Sequence, residues 1–276
     1  VLGFSPHTLP GHEDNAIWNN TKLGQLAQRK YSTTAWETDF LEQLLPSLIT
    51  SHNLCIDIPF IDVGCGDGRI TYLLHRVGFN KLVGIDLDEI NVRNAASQTP
   101  SSSLNNIVFM TGDALSLPFK HNTLQQIFIS GLPSLSNVFL NIYPFLTDSS
   151  MGGGGILLCL TATALEAALI YALTRGDWKE FIHIIETQTR AASWENKNIR
   201  YPITIVENVI NEAKQAGFSL EAKYGIPIFA SLVFGALCQQ QTLNEDDKEL
   251  LYNILYTIPS INLHFMRQSL LIFRKQ

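Results

Sequence analysis

From residue 58 onward, short apolar runs alternate with segments whose apolar residues recur every three or four positions. "IPFIDV" (58–63), "KLVGID" (81–86), "NIVFM" (106–110), "LQQIFIS" (124–130) and "GILLCLTA" (155–162) are near-continuous apolar runs of strand length. Such runs are expected of strands covered on both faces. "GRITYLLHRVG" (68–78) and "EINVRNAASQ" (89–98) fall between them and predict helices. Strands alternating with helices predict a parallel sheet with helices on both faces. "ITIVENVINEAKQAGF" (203–218) predicts a helix ended by Gly217, and "SLEAKYG" and "RQSLLIFRK" supply two more strands.

The pattern differs outside that frame. The first 57 residues are polar at the start and then helical, with Leu23, Leu26 and Ala27 on one face and Phe40, Leu41, Leu44, Leu45 and Leu48 on another. "ALEAALIYALTRGDWKEFIHIIETQTR" predicts two helices hinged near Gly176, too long together for an ordinary crossover. "NEDDKELLYNILYTI" predicts a further helix before the last strand. The expected organisation is a helical lid segment at 1–57 and one domain over 58–276, with helical insertions at 163–200 and 226–264. The run Gly152–Gly155 reads as the turn into the strand at 155; phosphate binding is the sharper alternative, but no helix opens directly after it.

Composition narrows the class. A chain of 276 residues can bury a sizeable core. Its longest apolar stretch, beginning at Ile156, is broken by Thr161, Thr163 and Glu166, so no membrane crossing is expected. No signal peptide opens the chain, and its start at Val1 is what a piece of a longer polypeptide would show. Cys55, Cys65, Cys159 and Cys238 lie far apart without a C-x-x-C pair, so no metal site or redox dithiol is expected, and a reducing cytoplasm is. The formal net charge of −6 removes the electrostatic argument for a nucleic-acid partner.

The chemistry concentrates in "FIDVGCGDGRI" (60–70), where Gly64, Gly66 and Gly68 follow a strand and open a helix. Dinucleotide folds use G-x-G-x-x-G, and here the third glycine comes one residue early. Asp62 puts a carboxylate beside the loop, a poor neighbour for a pyrophosphate and a good one for an ammonium group. "IDVGCGDGR" followed by "GIDLD" and "TGDALSLPF" resembles the class I S-adenosylmethionine-dependent methyltransferases across about residues 58–162. The resemblance implies a doubly wound, Rossmann-like α/β fold with a seven-stranded sheet, the last strand antiparallel, and S-adenosylmethionine as cofactor.

By the same resemblance Asp86, 18 positions after Gly68, would bind the ribose hydroxyls, Asp113 the adenine amino group and the Ala114 amide a ring nitrogen. Cys65 in the loop and Leu87 beside Asp86 join that cofactor-contacting set, and Ser130 and Gly131 would border the methionine moiety. Each has a plainer role open to it: Asp86 as a helix N-cap in competition with Asp88, Asp113 as a turn residue, Ser130 as a strand end, and Asp62 as a carboxylate bonded to loop amides. A nicotinamide oxidoreductase and a non-catalytic cofactor-binding protein are the competing classes.

No catalytic base is readable; His183 and His264 are the histidines that the variable regions would bring over the cofactor. "KYSTTAWETDFLEQLL" (30–45), "ALTRGDWKEF" (172–181), "RYPITIVENVINEAKQAGFSLEAKYGIPIF" (200–229) and "IPSINLHFMRQSLLIFRK" resemble loosely a bacterial subgroup that methylates carboxylates, including one on a tRNA wobble uridine. That resemblance implies that Tyr31 closes over the cofactor, although an aromatic before a helix is as often an anchor. Where the tRNA enzymes have K-G-x-I-R, this chain has Ala35-Trp36-Glu37-Thr38-Asp39, and Pro227 stands in place of a cation. The expected acceptor is therefore a small-molecule or peptidic acid, with Arg200 and Arg267 as the cations placed to meet it.

Overall fold

The computed structural model describes residues 33–130, 132, 135–148, 154–161, 178–194, 197–203, 205–227 and 266–276. In chain order the elements are α1 (Thr33–Ser51), β1 (Phe60–Val63), α2 (Arg69–Arg76), β2 (Leu82–Asp86), α3 (Glu89–Gln98), β3 (Ile107–Thr111), β4 (Gln126–Ser130), α4 (Leu135–Ile142) and β5 (Ile156–Leu160). They continue with α5 (Trp178–Thr187), β6 (Thr189–Trp194), β7 (Lys197–Pro202), α6 (Val206–Gln215), β8 (Phe218–Pro227) and β9 (Met266–Lys275).

Seven strands form one sheet in the order β3-β2-β1-β4-β5-β9-β8. The first five are parallel, and β9 runs antiparallel to both neighbours. The doubly wound fold expected from the alternating pattern is the fold observed. Side chains alternate strictly between two cores. Phe60, Phe128, Leu158 and Ile272 point to the face covered by α1 and α2, where they meet Leu41, Leu45, Leu48, Leu73 and Leu74. Ile61, Ile127, Leu157 and Leu271 point to the other face, against Val138, Phe139, Val209 and Ala213 of α4 and α6. A strand with core on both sides has no polar side to show, which is why its sequence reads as a continuous apolar run.

Residues 33–51, within the expected N-terminal lid segment, thus form a layer of the sheet's own core. The end of α1 is fastened too: His52 Nδ1 lies 3.2 Å from Glu221 Oε2 and His52 Nε2 lies 3.1 Å from the Tyr224 hydroxyl. The 163–200 insertion departs from expectation. Only α5 of its described part is helical; β6 and β7 form a separate two-stranded antiparallel hairpin. Gln188 takes a left-handed φ of 52° and ends α5 there, so the helical pattern cannot run on. The predicted insertion at 226–264 lies almost wholly outside the described residues. Of the glycine run, Gly154 and Gly155 lead straight into β5, as the turn reading requires.

Gly84 in β2 leaves room where two elements converge. A Cβ there would stand 2.5 Å from Cδ1 of Phe109 and 3.0 Å from Cys65 Sγ. Gly84→Ala should therefore overpack this corner at a cost of about 1–3 kcal/mol. Urea denaturation should show a lower midpoint at unchanged m-value.

Candidate functional site

Past Val63 the backbone makes the turn that the glycines permit. Gly64, Gly66 and Gly68 have φ of 78°, 54° and 87°, a region side chains with a Cβ rarely enter. The Gly64 and Cys65 amides both donate to the Ile85 carbonyl, at 2.8 and 3.0 Å. The Gly66 amide donates to Asp86 Oδ2 at 2.8 Å. A Cβ on Gly64 would press on Leu132 and on the Ser130 carbonyl, and one on Gly68 on Phe109. A Cβ on Gly66 would meet nothing within 4 Å. The middle glycine thus presents bare backbone to open space.

Asp86 closes β2 and faces the loop. Besides the Gly66 amide on Oδ2, its Oδ1 accepts the Asp88 amide at 2.9 Å. Each oxygen keeps a second acceptor site, enough for the two hydroxyls of a ribose. The N-cap of α3 is Asp88, whose Oδ1 accepts from the Ile90 amide at 2.8 Å, so capping does not consume Asp86. Leu87 between them is half-buried. After β3, Asp113 is exposed and its Oδ1 accepts the Leu115 amide at 2.8 Å, the turn role open to it. Its Oδ2 accepts no hydrogen bond from the described residues. Ala114 follows half-buried in the same turn.

Asp62 is the buried member of the set. Its exposure is 0 %, Thr71 of α2 donates to its Oδ2 at 2.6 Å, and its Oδ1 has no partner among the described residues. Burial pushes its pKa up to about 7, against the opposing pull of the Thr71 hydroxyl and the Arg69 charge. Cys65, also buried, has its thiol pushed up by desolvation and by the charges of Asp62 and Asp86, and acts as packing rather than as a nucleophile.

Ser130 ends β4, half-buried, beside Gly64. Tyr31, Gly131 and His264 lie outside the described residues. The described histidines have partners of their own. His75 lies 3.1 Å from the Phe79 carbonyl and 2.9 Å from Ser103 Oγ, and His121 stacks edge-on against Phe145. His183 lies 3.5 Å from Thr189 Oγ1 of the adjoining hairpin, and His52 is engaged by Glu221 and Tyr224. Arg200 belongs to β7, opposite Ala191. The backbone of Arg267 sits three residues before Leu270, which pairs with Leu160 at the carboxyl end of β5, so it stands at the same end of the sheet as Ser130. Sequence patterning did not find Glu37, Arg69 and Thr71, because pairs separated by 9 and 32 positions leave no periodic signal.

Sheet order reverses between β1 and β4, and the crevice at the carboxyl ends of strands beside such a reversal is where open α/β sheets bind ligands. Gly66, Asp86 and Ser130 gather there, with Asp62 buried beneath. These groups suit S-adenosylmethionine: the orphaned Asp62 oxygen fits its ammonium group, the bare Gly66 backbone its amino-acid tail, and the spare acceptor sites of Asp86 its ribose. When bound, that cofactor supplies an electrophilic methyl group on a sulfonium.

An antiparallel strand slotted beside the fifth of five parallel ones is the sheet of the class I methyltransferases, and the acidic residues at the strand ends suit their cofactor. Residues 60–146, which span the glycine loop, Asp86, Asp113 and Ser130, match the family model of a methyltransferase domain. That domain match and the sheet order indicate an S-adenosylmethionine-dependent methyltransferase. Its fold is similar to a protein of Pyrococcus horikoshii at 18% identity and TM-score 0.54, covering 99% of this chain and 100% of that one. It is similar to a SAM-dependent methyltransferase of Methanosarcina mazei at 14% identity and TM-score 0.53, covering 82% and 96%. A geranyl diphosphate methyltransferase in complex with SAM is similar at 13% identity and TM-score 0.53, covering 85% and 84%. At these identities the likeness is one of fold. No curated protein matches this sequence.

Asp86→Ala should weaken S-adenosylmethionine binding about 10–150-fold by calorimetry, from the loss of charge-assisted hydrogen bonds worth about 1.5–3 kcal/mol. Unchanged affinity would remove Asp86 from the site. Gly66→Val should abolish binding, because its side chain would fill the open space and strain the positive φ. A variant that folds, by circular dichroism, and still binds would reduce the loop to a tight turn.

Proposed function

We propose that this enzyme transfers the methyl group to a carboxylate of a small-molecule or peptidic acid, forming a methyl ester. The observation that carries the proposal is that each described histidine already has a hydrogen-bonding or ring partner. A hydroxyl acceptor needs a base to take its proton, whereas a carboxylate is already the nucleophile near neutral pH. Alignment of the two reactants and exclusion of water then carry the rate. The loose resemblance of residues 30–45 and 172–273 to carboxyl-methylating enzymes supports the same acceptor. Among the described residues, Arg267 has its backbone at the carboxyl ends of the strands, where a cation would meet an acid.

Two features speak against a tRNA substrate: the net charge of −6, and Glu37 within the segment that carries cations in the tRNA enzymes. No described helix is long and apolar enough to cross a membrane. A reducing cytoplasm suits Cys65 and Cys159, which are buried and free.

The test uses a labelled methyl donor with a panel of organic and peptidic acids. Product exposed to mild alkali should release its label as volatile methanol, since an ester hydrolyses where ethers and N-methyl groups survive. Label that stays on the product would overturn the ester and direct attention to His183, His264 and Tyr31 as bases.

A further inference from the structure

Among the described residues, one side chain bonds Asp62. The carboxylate sits on the third residue of β1 and shares its face with Phe60, so it points beneath the beginning of α2. Its register neighbours offer no donor side chain: Gly84 of β2 has none at all, and Phe128 of β4 is apolar. Thr71, the third residue of α2 and itself fully buried, donates its hydroxyl to Asp62 Oδ2 at 2.6 Å. Oδ1 is buried with no partner among the described residues. The two oxygens of this carboxylate are unequal, and Thr71 makes them so.

We propose that Thr71 is a positioning residue for the cofactor's amino-acid tail: its hydroxyl occupies one oxygen of Asp62, fixes the plane of the carboxylate, and leaves the other oxygen for the cofactor's ammonium group. The proposal rests on the pairing of Asp62 with that group. The carboxylate torsion of an aspartate is broad and two-fold, so rotamer preference alone does not fix that plane. An ionised carboxylate only accepts, so the proton of this bond comes from the hydroxyl. A threonine inside a helix commonly bonds the carbonyl one turn back; here the hydroxyl goes to Asp62 instead. Its branched Cβ restricts the directions in which that hydroxyl can point. The helix that carries it begins at Arg69, directly after Gly68, so the glycine loop and the carboxylate share one support.

The consequence is confined to one part of the ligand. A hydrogen bond to an ionised group is stronger than one between neutral partners, and a carboxylate this deeply buried has no bulk water to replace it. Adenine and ribose meet other residues. Only a ligand with an amino-acid tail should sense the loss of the Thr71 hydroxyl.

The experiment compares S-adenosylhomocysteine with methylthioadenosine, a related nucleoside thioether without the amino-acid tail, by calorimetry at neutral pH. Wild type should bind both, and S-adenosylhomocysteine the more tightly. Thr71→Val keeps the branched shape and removes the hydroxyl; it should weaken S-adenosylhomocysteine about tenfold and methylthioadenosine by less than about twofold. Thr71→Ala does the same with a smaller side chain should valine not fit, and Thr71→Ser should restore the preference for the tail. Asp62→Asn should itself lose the preference, and adding Thr71→Val to it should change nothing more. An Asp62→Asn variant with the wild-type preference would remove Asp62 as the ammonium partner and the proposal with it. A preference lost in Asp62→Asn but kept in Thr71→Val and Thr71→Ala would overturn the role of Thr71 alone. A merely structural Thr71 would lower the melting temperature and weaken both nucleosides alike. Failure of wild type to bind either nucleoside would overturn the cofactor assignment itself.

Discussion

The hydrogen bond from the Gly66 amide to the Asp86 carboxylate joins the end of β1 to the end of β2, and the geometry of the site depends on it. Three left-handed residues within five positions are not held by local preference, since glycine enters that region without being confined to it. Confinement comes from the neighbouring strand: the Ile85 carbonyl takes two amides of the loop and Asp86 takes the third. The same carboxylate takes the amide that opens the turn into α3. Asp86 thus sits in one orientation before any ligand arrives, and the glycine backbone is aimed at the crevice. A site preorganised by its own backbone loses less of the ligand's binding energy to ordering.

The sheet and the loop were legible in the sequence because both follow from local rules. Strands covered on two faces must be apolar throughout, so the runs at 58–63, 81–86, 106–110, 124–130 and 155–162 appeared as strands within a residue or two of their ends. The glycine spacing alone separates this loop from the dinucleotide fingerprint. What escaped was tertiary. The hairpin 189–202 is largely polar, and the residue that ends the helix before it is Gln188, which carries no glycine-like stop signal. Glu37 read only as part of the departure from K-G-x-I-R, and only the packing of α1 on α2 shows it buried against Arg69. Asp113 kept both of its readings, because a turn bond through one oxygen leaves the other for a ligand.

The burial of α1 in the sheet's core has an electrostatic side. Leu41, Leu45 and Leu48 anchor the helix, and that anchorage brings Glu37 to the beginning of α2. An ion pair formed at the surface would contribute little; here Glu37 is buried, and losing Arg69 would leave its carboxylate unpaired at a cost. Apolar packing and charge placement are therefore coupled in this helix.

β9 follows β8 in the chain yet lies between β8 and the rest of the sheet. During synthesis, the segment 218–227 has no strand to pair with until 266–275 has been made, although the five parallel strands can already associate. Its hydrogen-bonding edge must wait through the intervening residues, exposed to other nascent chains. The antiparallel strand that defines the class thus also sets the order of assembly: the sheet is completed by inserting an interior strand, and a ribosome pausing before residue 266 would hold the molecule with an open seam.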